Sequence, residues 1–182
     1  MILTNRLPDF LEADLNNAIR TTDGFQKFFK TVFFNLQFLK YVTCITYSIS
    51  KSSDIKTTDS DKFLINSFQI PSEGTWLQLL NTILSSSNNV YLEDVKKILR
   101  SKIRSQTIKK FLNTYYSIFN TSGIGQECIT SIEFFEKVIN IKNRLVSHNL
   151  VTPELAEKVV NDLIPTTYDI INHLDNLLLI SL

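Results

Sequence analysis

The sequence predicts an all-α protein, an up-and-down bundle of about five to seven helices. With only 4 Gly and 4 Pro in 182 residues, the chain has few turn signals, so the elements between them must be long. Apolar side chains recur at helical spacing along most of the chain, and no segment carries a convincing strand alternation. We take residues 1–182 as a single domain, because a chain of this length can bury a sizeable core; it is either the whole protein or one part of a longer one.

The opening part of the chain predicts two helices and a loop. A first helix is expected after Pro8, because proline is tolerated in a first helical turn, and its apolar residues continue to Ile19. The segment Thr21–Gly24 breaks this helix and offers capping oxygens to the next one. Over 25–50 the apolar surface is wider than one stripe, which indicates a central helix packed on more than one side. The polar run Lys51–Lys62 predicts a surface loop.

Turn and capping signals divide the rest of the chain into further helices. The predicted elements are a helix over Trp76–Leu84 capped by Ser72 or Thr75, a basic amphipathic segment over Leu92–Arg104, its continuation over Ile108–Phe119, a turn at Asn120–Gly125, a helix over Glu127–Val146 and a last helix from Thr152 to the C-terminus. Thr152, Pro153 and Glu154 are a cap, a proline at the first helical position and an acid in the first turn. Pro165 removes a backbone donor from the last helix and predicts a kink there.

Composition and charge exclude several classes of function. The net charge of +1 gives no strong global field, so any nucleic-acid binding must come from a local patch. The most apolar stretch, Val32–Ile49, is interrupted by two amide side chains and by Lys40, which argues against a membrane span. Met1–Phe10 lacks the apolar core of a signal peptide. We therefore expect a cytoplasmic protein that does not bind a membrane.

The sequence points to no cofactor and no metal. Cys44 and Cys128 stand alone, without a CxxC pair or a nearby histidine, and predict buried thiols in a reducing compartment. Gly123–Gly125 lacks the third glycine and the preceding strand of a dinucleotide fingerprint, and so predicts a turn. Paired-acid, Walker-type and nucleophile-elbow patterns are absent from the sequence.

Chemistry is concentrated in the segment Ile139–His148, at the end of an apolar helix pattern. Its candidate residues are Lys142, Asn143, Arg144 and His148, and the chain has only 2 His. An imidazole can accept and return a proton at neutral pH, and a cation beside it can hold a phosphate and stabilise the charge on its oxygens. RNA supplies its own nucleophile, the 2′-hydroxyl, so such a site needs no metal. The alternative is an ordinary helix C-terminus, where cations complement the helix dipole and His148 is a cap.

The spacing within this segment sets its geometry. Arg144 and His148 are four residues apart and share a helix face, whereas Lys142 lies about a third of a turn away. Ser147 and His148 indicate a helix end near Val146. At such an end the helical angles relax, and His148 can turn toward Lys142.

The segment Val138–Asn149 resembles the signature of HEPN domains, the helical bundles of many prokaryotic toxins and defence proteins. That signature is an arginine, usually followed by a polar residue, and then a histidine after four to six intervening residues. Upstream, Pro71–Trp76 and the leucines after it resemble a glycine–tryptophan helix start that precedes the signature in bacterial HEPN-like domains. The resemblance covers most of the chain, from about Leu7 to Leu179.

The chain departs from this signature at the arginine position. With His148 as the family histidine and Asn143 as its polar residue, the arginine position holds Lys142. With Arg144 as the arginine, only three residues intervene before the histidine. Lysine keeps the charge but lacks the planar fork that grips phosphate with two hydrogen bonds. Both assignments stay open, and with them whether the chain is an enzyme.

The resemblance implies a homodimer in which the segments Lys142–His148 of two subunits face a shared cleft. It implies an RNA-directed defence or toxin module that binds RNA or cleaves it without a metal, with His148 as general acid or base. Lys142 or Arg144 would hold the phosphate and Asn143 would position the substrate. The expected partners are RNA and either an antitoxin or a fused regulatory domain.

Two other interpretations compete with an RNA-directed module. One is a non-catalytic HEPN-like module that dimerises or regulates within a larger defence or signalling system. The apolar run Leu177–Leu182 favours it slightly, because such a run predicts coverage by a partner or by further sequence. The other is a helical scaffold without a ligand.

A basic run and a second histidine have less specific interpretations. Lys96–Lys110, followed by Tyr115 and Tyr116, suits single-stranded RNA through phosphate contacts and base stacking. A solvated helix face explains the same spacing, so we expect an RNA approach surface only if this run faces His148. His173 could pair with a neighbouring aspartate, but we expect it on a helix surface or in a dimer contact.

Overall fold

The computed structural model of the chain is an all-α bundle, as predicted. The structure describes residues 7–51, 72–85, 90–120, 125–148 and 150–179. Its elements are, in chain order, α1 (Asp9–Arg20), α2 (Gly24–Lys51), α3 (Glu73–Ser85), α4 (Val90–Arg100), β1 (Ile103–Arg104), α5 (Gln106–Phe119), β2 (Cys128–Ile129), α6 (Ser131–Ile141), a π-helical turn (Lys142–Val146), α7 (Pro153–His173) and α8 (Asp175–Leu179). The loop predicted over Lys51–Lys62 lies outside the described residues, apart from Lys51 at the end of α2.

Helix α2 is the centre of the bundle, which confirms the prediction from its wide apolar surface. It packs against α1, α3, α4, α6 and α7. Phe38 is fully buried, stacks on Phe34 with ring centroids 6.1 Å apart, and meets Phe135 of α6 edge-on at 5.8 Å. Among the described residues, no helix combines the length and the apolar character that a membrane crossing requires.

A buried amide fixes how α2 and α7 meet. Asn35 of α2 is fully buried. Its Nδ2 donates to the Thr31 carbonyl at 2.8 Å, and its Oδ1 accepts from Thr167 Oγ1 of α7 at 3.0 Å. A buried polar group without a partner costs about 1–3 kcal/mol. The pairing therefore favours one rotation of α7 against the central helix.

The predicted capping residues lie where helices begin. Asp23 Oδ1 accepts from Gln26 N at 2.8 Å at the start of α2. Ser72 caps α3, accepting from Thr75 N at 3.1 Å. Thr152 Oγ1 accepts from Leu155 N at 3.2 Å at the start of α7. Side-chain oxygens thus satisfy N–H groups that a helix start leaves without partners.

Two short strands lie in segments for which the sequence predicted helix and no strand. Ile103 of β1 lies opposite Ile129 of β2 in an antiparallel pair, so the segment Leu92–Arg104 is helical only to Arg100, and the helix expected from Glu127 begins at Ser131. Each strand is two residues long, too short to produce the alternation by which strands are predicted.

The predicted last helix is divided at Leu174, and Pro165 does not end it. Helix α7 continues through Pro165 to His173, and α8 follows. Leu177 and Leu178 are 0% and 1% exposed within the chain's own core. Leu177 and Leu178 are therefore covered by the chain's own bundle, and the side chains of the rest of the run Leu177–Leu182 lie outside the part that the structure describes.

The cysteines differ from their prediction. Both thiols are free, but Cys44 is exposed on α2 and Cys128 is half-buried in β2. Cys44 lies along the same side of α2 as the exposed residues Gln37 and Ser48. Helical spacing turns this side away from the core, so the predicted buried thiol is wrong at Cys44.

Candidate functional site

The two segments that carry the HEPN resemblance meet in the fold. Glu73 opens α3, within the upstream segment, and Lys142 directly follows α6. Lys142 Nζ lies 3.2 Å from Glu73 Oε2, with the two side chains 22% and 24% exposed. Helices α3 and α6 pack together and hold the pair. Lys142 therefore has an acidic partner 69 positions away in sequence, which the spacing of the signature gave no reason to expect.

Glu73 is held in its ionised form. Burial alone would raise its pKa, but hydrogen bonds from its own backbone N–H and from Lys142 oppose that effect. The positive charges of Lys142 and Lys40 act in the same direction, and the pKa is lowered from its ordinary value. An acid in the first turn also complements the dipole of α3. Glu73 thus pairs with Lys142 and also lies within the electrostatic influence of Lys40.

The helix widens where the candidate residues lie. Ser147 N donates to the Lys142 carbonyl at 3.2 Å and Leu150 N donates to the Leu145 carbonyl at 3.0 Å, each bond spanning five residues. Leu145 is 2% exposed and anchors this turn in the core. Such single π-helical turns occur frequently at functional sites. The helix ends at Val146, as predicted.

The other candidate residues occupy the outer side of the widened turn. Asn143, Arg144 and His148 are all exposed. The Arg144 guanidinium lies 5.4 Å from the centre of the Phe119 ring of α5. Arg144 therefore leans toward α5 while Lys142 reaches α3, so the structure separates the partners of the two candidate cations. The side chains of Asn143 and His148 contact no hydrogen-bonding partner among the described residues.

Residues of α5, α6 and the π-helical turn form a cation–aromatic surface that was not predicted from the sequence. We call it the α5–α6 aromatic face, and its members are Tyr115, Tyr116, Phe119, Lys137, Asn140 and Arg144. The rings of Tyr115 and Phe119 stack with centroids 4.5 Å apart. Lys137 Nζ lies 4.4 Å from the centre of the Tyr115 ring and 5.1 Å from that of Tyr116.

Polar contacts and burial complete this face. Asn140 Nδ2 donates to the Tyr115 hydroxyl at 3.0 Å. Burial lowers the pKa of Lys137, and the carboxylates of Glu136 and Glu133 partly oppose that effect. The sequence feature that could have indicated this face is the spacing of Lys137, Asn140 and Arg144, which are three and four residues apart and so share one helix face.

The basic run itself is largely neutralised. Lys96 and Lys97 pair with acids one helical turn earlier on α4, at 2.6 and 3.2 Å. Lys102 lies 3.0 Å from Glu133, and Lys109 lies 2.6 Å from Glu127. This distribution favours a solvated, ion-paired helix face for the run, while the tyrosines that follow it face α6.

His173 has a structural role at the end of α4. Its Nε2 lies 2.9 Å from both the Ile98 carbonyl oxygen and Ser101 Oγ. Ser101 Oγ also lies 2.9 Å from that carbonyl. A ring nitrogen that donates to a carbonyl cannot take the serine proton, so these residues do not form a nucleophile–base pair. Asp169, expected as a neighbour, instead accepts from Ser105 and Thr107 at the start of α5.

The described residues contain no group of three or more metal-ligating side chains. In comparisons with known proteins, no family model, no curated protein and no solved structure matches the chain. The resemblance to HEPN domains therefore stays a prediction.

Proposed function

We propose that this chain is a HEPN-like domain that acts on RNA through the segment Lys142–His148, as part of a defence or toxin system. The observation that carries the proposal is the contact of Lys142 with Glu73, since it joins the two segments that resemble HEPN sequences. The exposure of Asn143, Arg144 and His148 on one widened turn supports it, because a substrate can reach all three.

The chemistry of the proposed cleavage uses RNA's own nucleophile. His148 removes the proton of a 2′-hydroxyl, the 2′ oxygen attacks the adjacent phosphorus, and the bond from phosphorus to the 5′ oxygen breaks. The protonated His148 returns its proton to the leaving 5′ oxygen, and the products are a 2′,3′-cyclic phosphate and a 5′-hydroxyl. Arg144 or Lys142 stabilises the charge that develops on the phosphate oxygens, and Asn143 orients the strand.

A dimer cleft is part of the same proposal. Leu150, two residues after His148, is 54% exposed. An exposed leucine beside a polar site suits a contact between two copies of the segment, which would bring two histidines to one cleft. The acting partner in the cell would be an antitoxin or a fused regulatory domain.

A non-catalytic RNA-binding or regulatory module is the second candidate. The observation that favours it is again the ion pair of Lys142, because Glu73 neutralises the cation that stands at the family's arginine position. Lysine also lacks the fork of arginine. In this case the segment would hold RNA or a partner without cleaving it.

Metal-independent cleavage separates the two candidates. Purified protein is incubated with structured RNA in EDTA, beside His148→Ala and the matched control Ser147→Ala, an exposed neighbour. We expect wild type and Ser147→Ala to cleave, and His148→Ala to be slower by at least about a hundredfold, the usual contribution of general acid–base catalysis. RNA binding without cleavage by any of the three would favour the non-catalytic module. If the protein shows no binding and no cleavage of the RNA, the proposal is overturned.

The same assay decides which cation acts on phosphate. Arg144→Gln and Lys142→Met each remove one charge and keep a side chain of similar length. Loss of cleavage with Arg144→Gln alone would assign the phosphate to Arg144. Loss with Lys142→Met alone would assign it to Lys142, in which case Lys142→Arg should raise the rate, because the fork is restored.

A further inference from the structure

Apart from Arg144, the residues of the α5–α6 aromatic face have no part in the proposed cleavage. Tyr115, 8% exposed, forms its floor. Tyr116 and Phe119 are half-buried and Arg144 is exposed, so the rim of the face reaches solvent. The stacked rings, the edge-on Tyr116 at 5.5 Å and the hydrogen bond from Asn140 fix the aromatic groups in place. A rigid, partly exposed aromatic platform therefore lies directly beside the candidate site.

Positive charge accompanies the rings. Lys137 and Arg144 are about two helical turns apart on the same side of α6 and its π-helical turn, and each lies over an aromatic ring. Glu136 is the exposed acid next to Lys137, and Glu133 is engaged by Lys102. The alternation of cations and aromatic rings matches a polyanion that also presents flat bases.

Single-stranded RNA has this combination, whereas a duplex does not. In a single strand the bases can splay out and stack on aromatic side chains or on an arginine plane, while lysines contact the phosphates. In a duplex the bases are stacked on one another, and the rings would have nothing to bind. Arg144 is four residues before His148, so a strand on this face leads to the proposed catalytic histidine.

We propose that the α5–α6 aromatic face binds a single-stranded stretch of the RNA, with a base against Phe119 and Arg144 and a phosphate at Lys137. This inference rests on the proposed function and names the form of RNA that the site takes. The RNA is held unpaired on the face, and its scissile phosphate lies beyond Arg144, at His148.

Binding of labelled RNA tests this directly. Fluorescence anisotropy is measured in a His148→Ala background, which keeps the RNA intact, with an unstructured strand of about twelve nucleotides and with the same strand in a duplex. The variants are Phe119→Leu and Lys137→Met. Their matched controls are Phe33→Leu, at a 47% exposed ring of α2, and Lys97→Met, at a 76% exposed lysine of α4. Circular dichroism confirms that each variant is folded.

We expect the single strand to bind at least about tenfold more tightly than the duplex. Phe119→Leu should weaken single-strand binding by about tenfold because one base–aromatic stack is lost, and Lys137→Met should weaken it by about tenfold because one phosphate contact is lost. The control variants should change binding by less than about twofold. Two results would overturn the proposal that the α5–α6 aromatic face binds single-stranded RNA while leaving the proposed function in place. One is equal binding of strand and duplex, and the other is single-strand binding that both face variants leave unchanged. No binding to either RNA would overturn both.

Discussion

Glu73 and Lys142 show how a single contact changes the interpretation of a residue. In sequence, Lys142 is a cation at the end of a helix, with Asn143 and Arg144 after it. In the fold it is 22% exposed and bonded to the first residue of α3. The pair holds the end of α6 against α3 and leaves Arg144 as the candidate cation that is not paired with an acid in the described part of the chain.

Neutralising Glu73 should remove a pH-dependent part of the stability. Because the folded-state pKa of Glu73 lies below its ordinary value of 4.5, the ionised carboxylate stabilises the fold above that pH. The contribution is lost as the pH falls through the lowered pKa. We expect Glu73→Gln to cost about 0.5 kcal/mol at neutral pH, since the pair is partly exposed and screened by solvent.

Urea unfolding of wild type and Glu73→Gln at a series of pH values measures this contribution. The difference in unfolding free energy should shrink as the pH falls below 4.5 and through the lowered pKa of Glu73, and it should shrink at neutral pH when salt is added. A difference that stays constant across pH would show that the pair does not contribute through charge.

At the scale of elements, the start of α6 is set by two reciprocal hydrogen bonds. Thr130 Oγ1 accepts from Glu133 N at 3.1 Å, and Glu133 Oε2 accepts from Thr130 N at 2.7 Å. This capping box fixes where α6 begins, which is later than the sequence pattern predicted.

Removing the cap should destabilise the fold without changing its architecture. We expect Thr130→Ala to lower the free energy of unfolding by about 1 kcal/mol, the usual cost of losing a side-chain cap. Chemical denaturation followed by circular dichroism measures the change. Thr82→Ala, inside α3, is the matched control and should have no cost or a slight gain, since alanine favours a helix interior. Equal effects of the two substitutions would show that the capping box does not stabilise α6.

At the scale of the whole molecule, the proposed dimer requires a contact surface beside the candidate site. The proposed cleft requires the Lys142–His148 segments of two subunits to lie together, and Leu150 is the large exposed apolar residue next to them. Phe10, on α1, is 59% exposed and packs edge-on against Tyr41 of α2. Phe10 is therefore a large exposed apolar residue that lies on α1, outside the Lys142–His148 segment.

A charge at Leu150 should separate the subunits. We expect wild type to sediment as a dimer and Leu150→Glu as a monomer in analytical ultracentrifugation, because burying an unpaired carboxylate in the interface is costly. Phe10→Glu is the matched control and should remain dimeric. A monomeric wild type would rule out the shared cleft, and a Leu150→Glu dimer would place the interface elsewhere.

The candidate site could be proposed from the sequence, but little of its contact geometry could be predicted. The cluster Lys142–His148 was identified from residue types alone, because only one short segment combines cations, an amide and a histidine. The partners Glu73 and Phe119 were not identified, since they lie on other helices and no local spacing connects them to Lys142 or Arg144. The sequence overstated the unpaired positive charge of the basic run Lys96–Lys110, because two of the acids that pair with it, Glu127 and Glu133, are distant along the chain.

The sequence by itself determined the helical class, the central position of α2 and the caps that begin the helices, because periodicity and capping are local properties of the chain. Tertiary structure decided the short β1–β2 pair, the break at Leu174 and the burial of Leu177 and Leu178. It also decided that Lys142 reaches Glu73 while Arg144 lies over Phe119. These features depend on which helix packs beside which, and packing between distant segments has no local signature in the sequence.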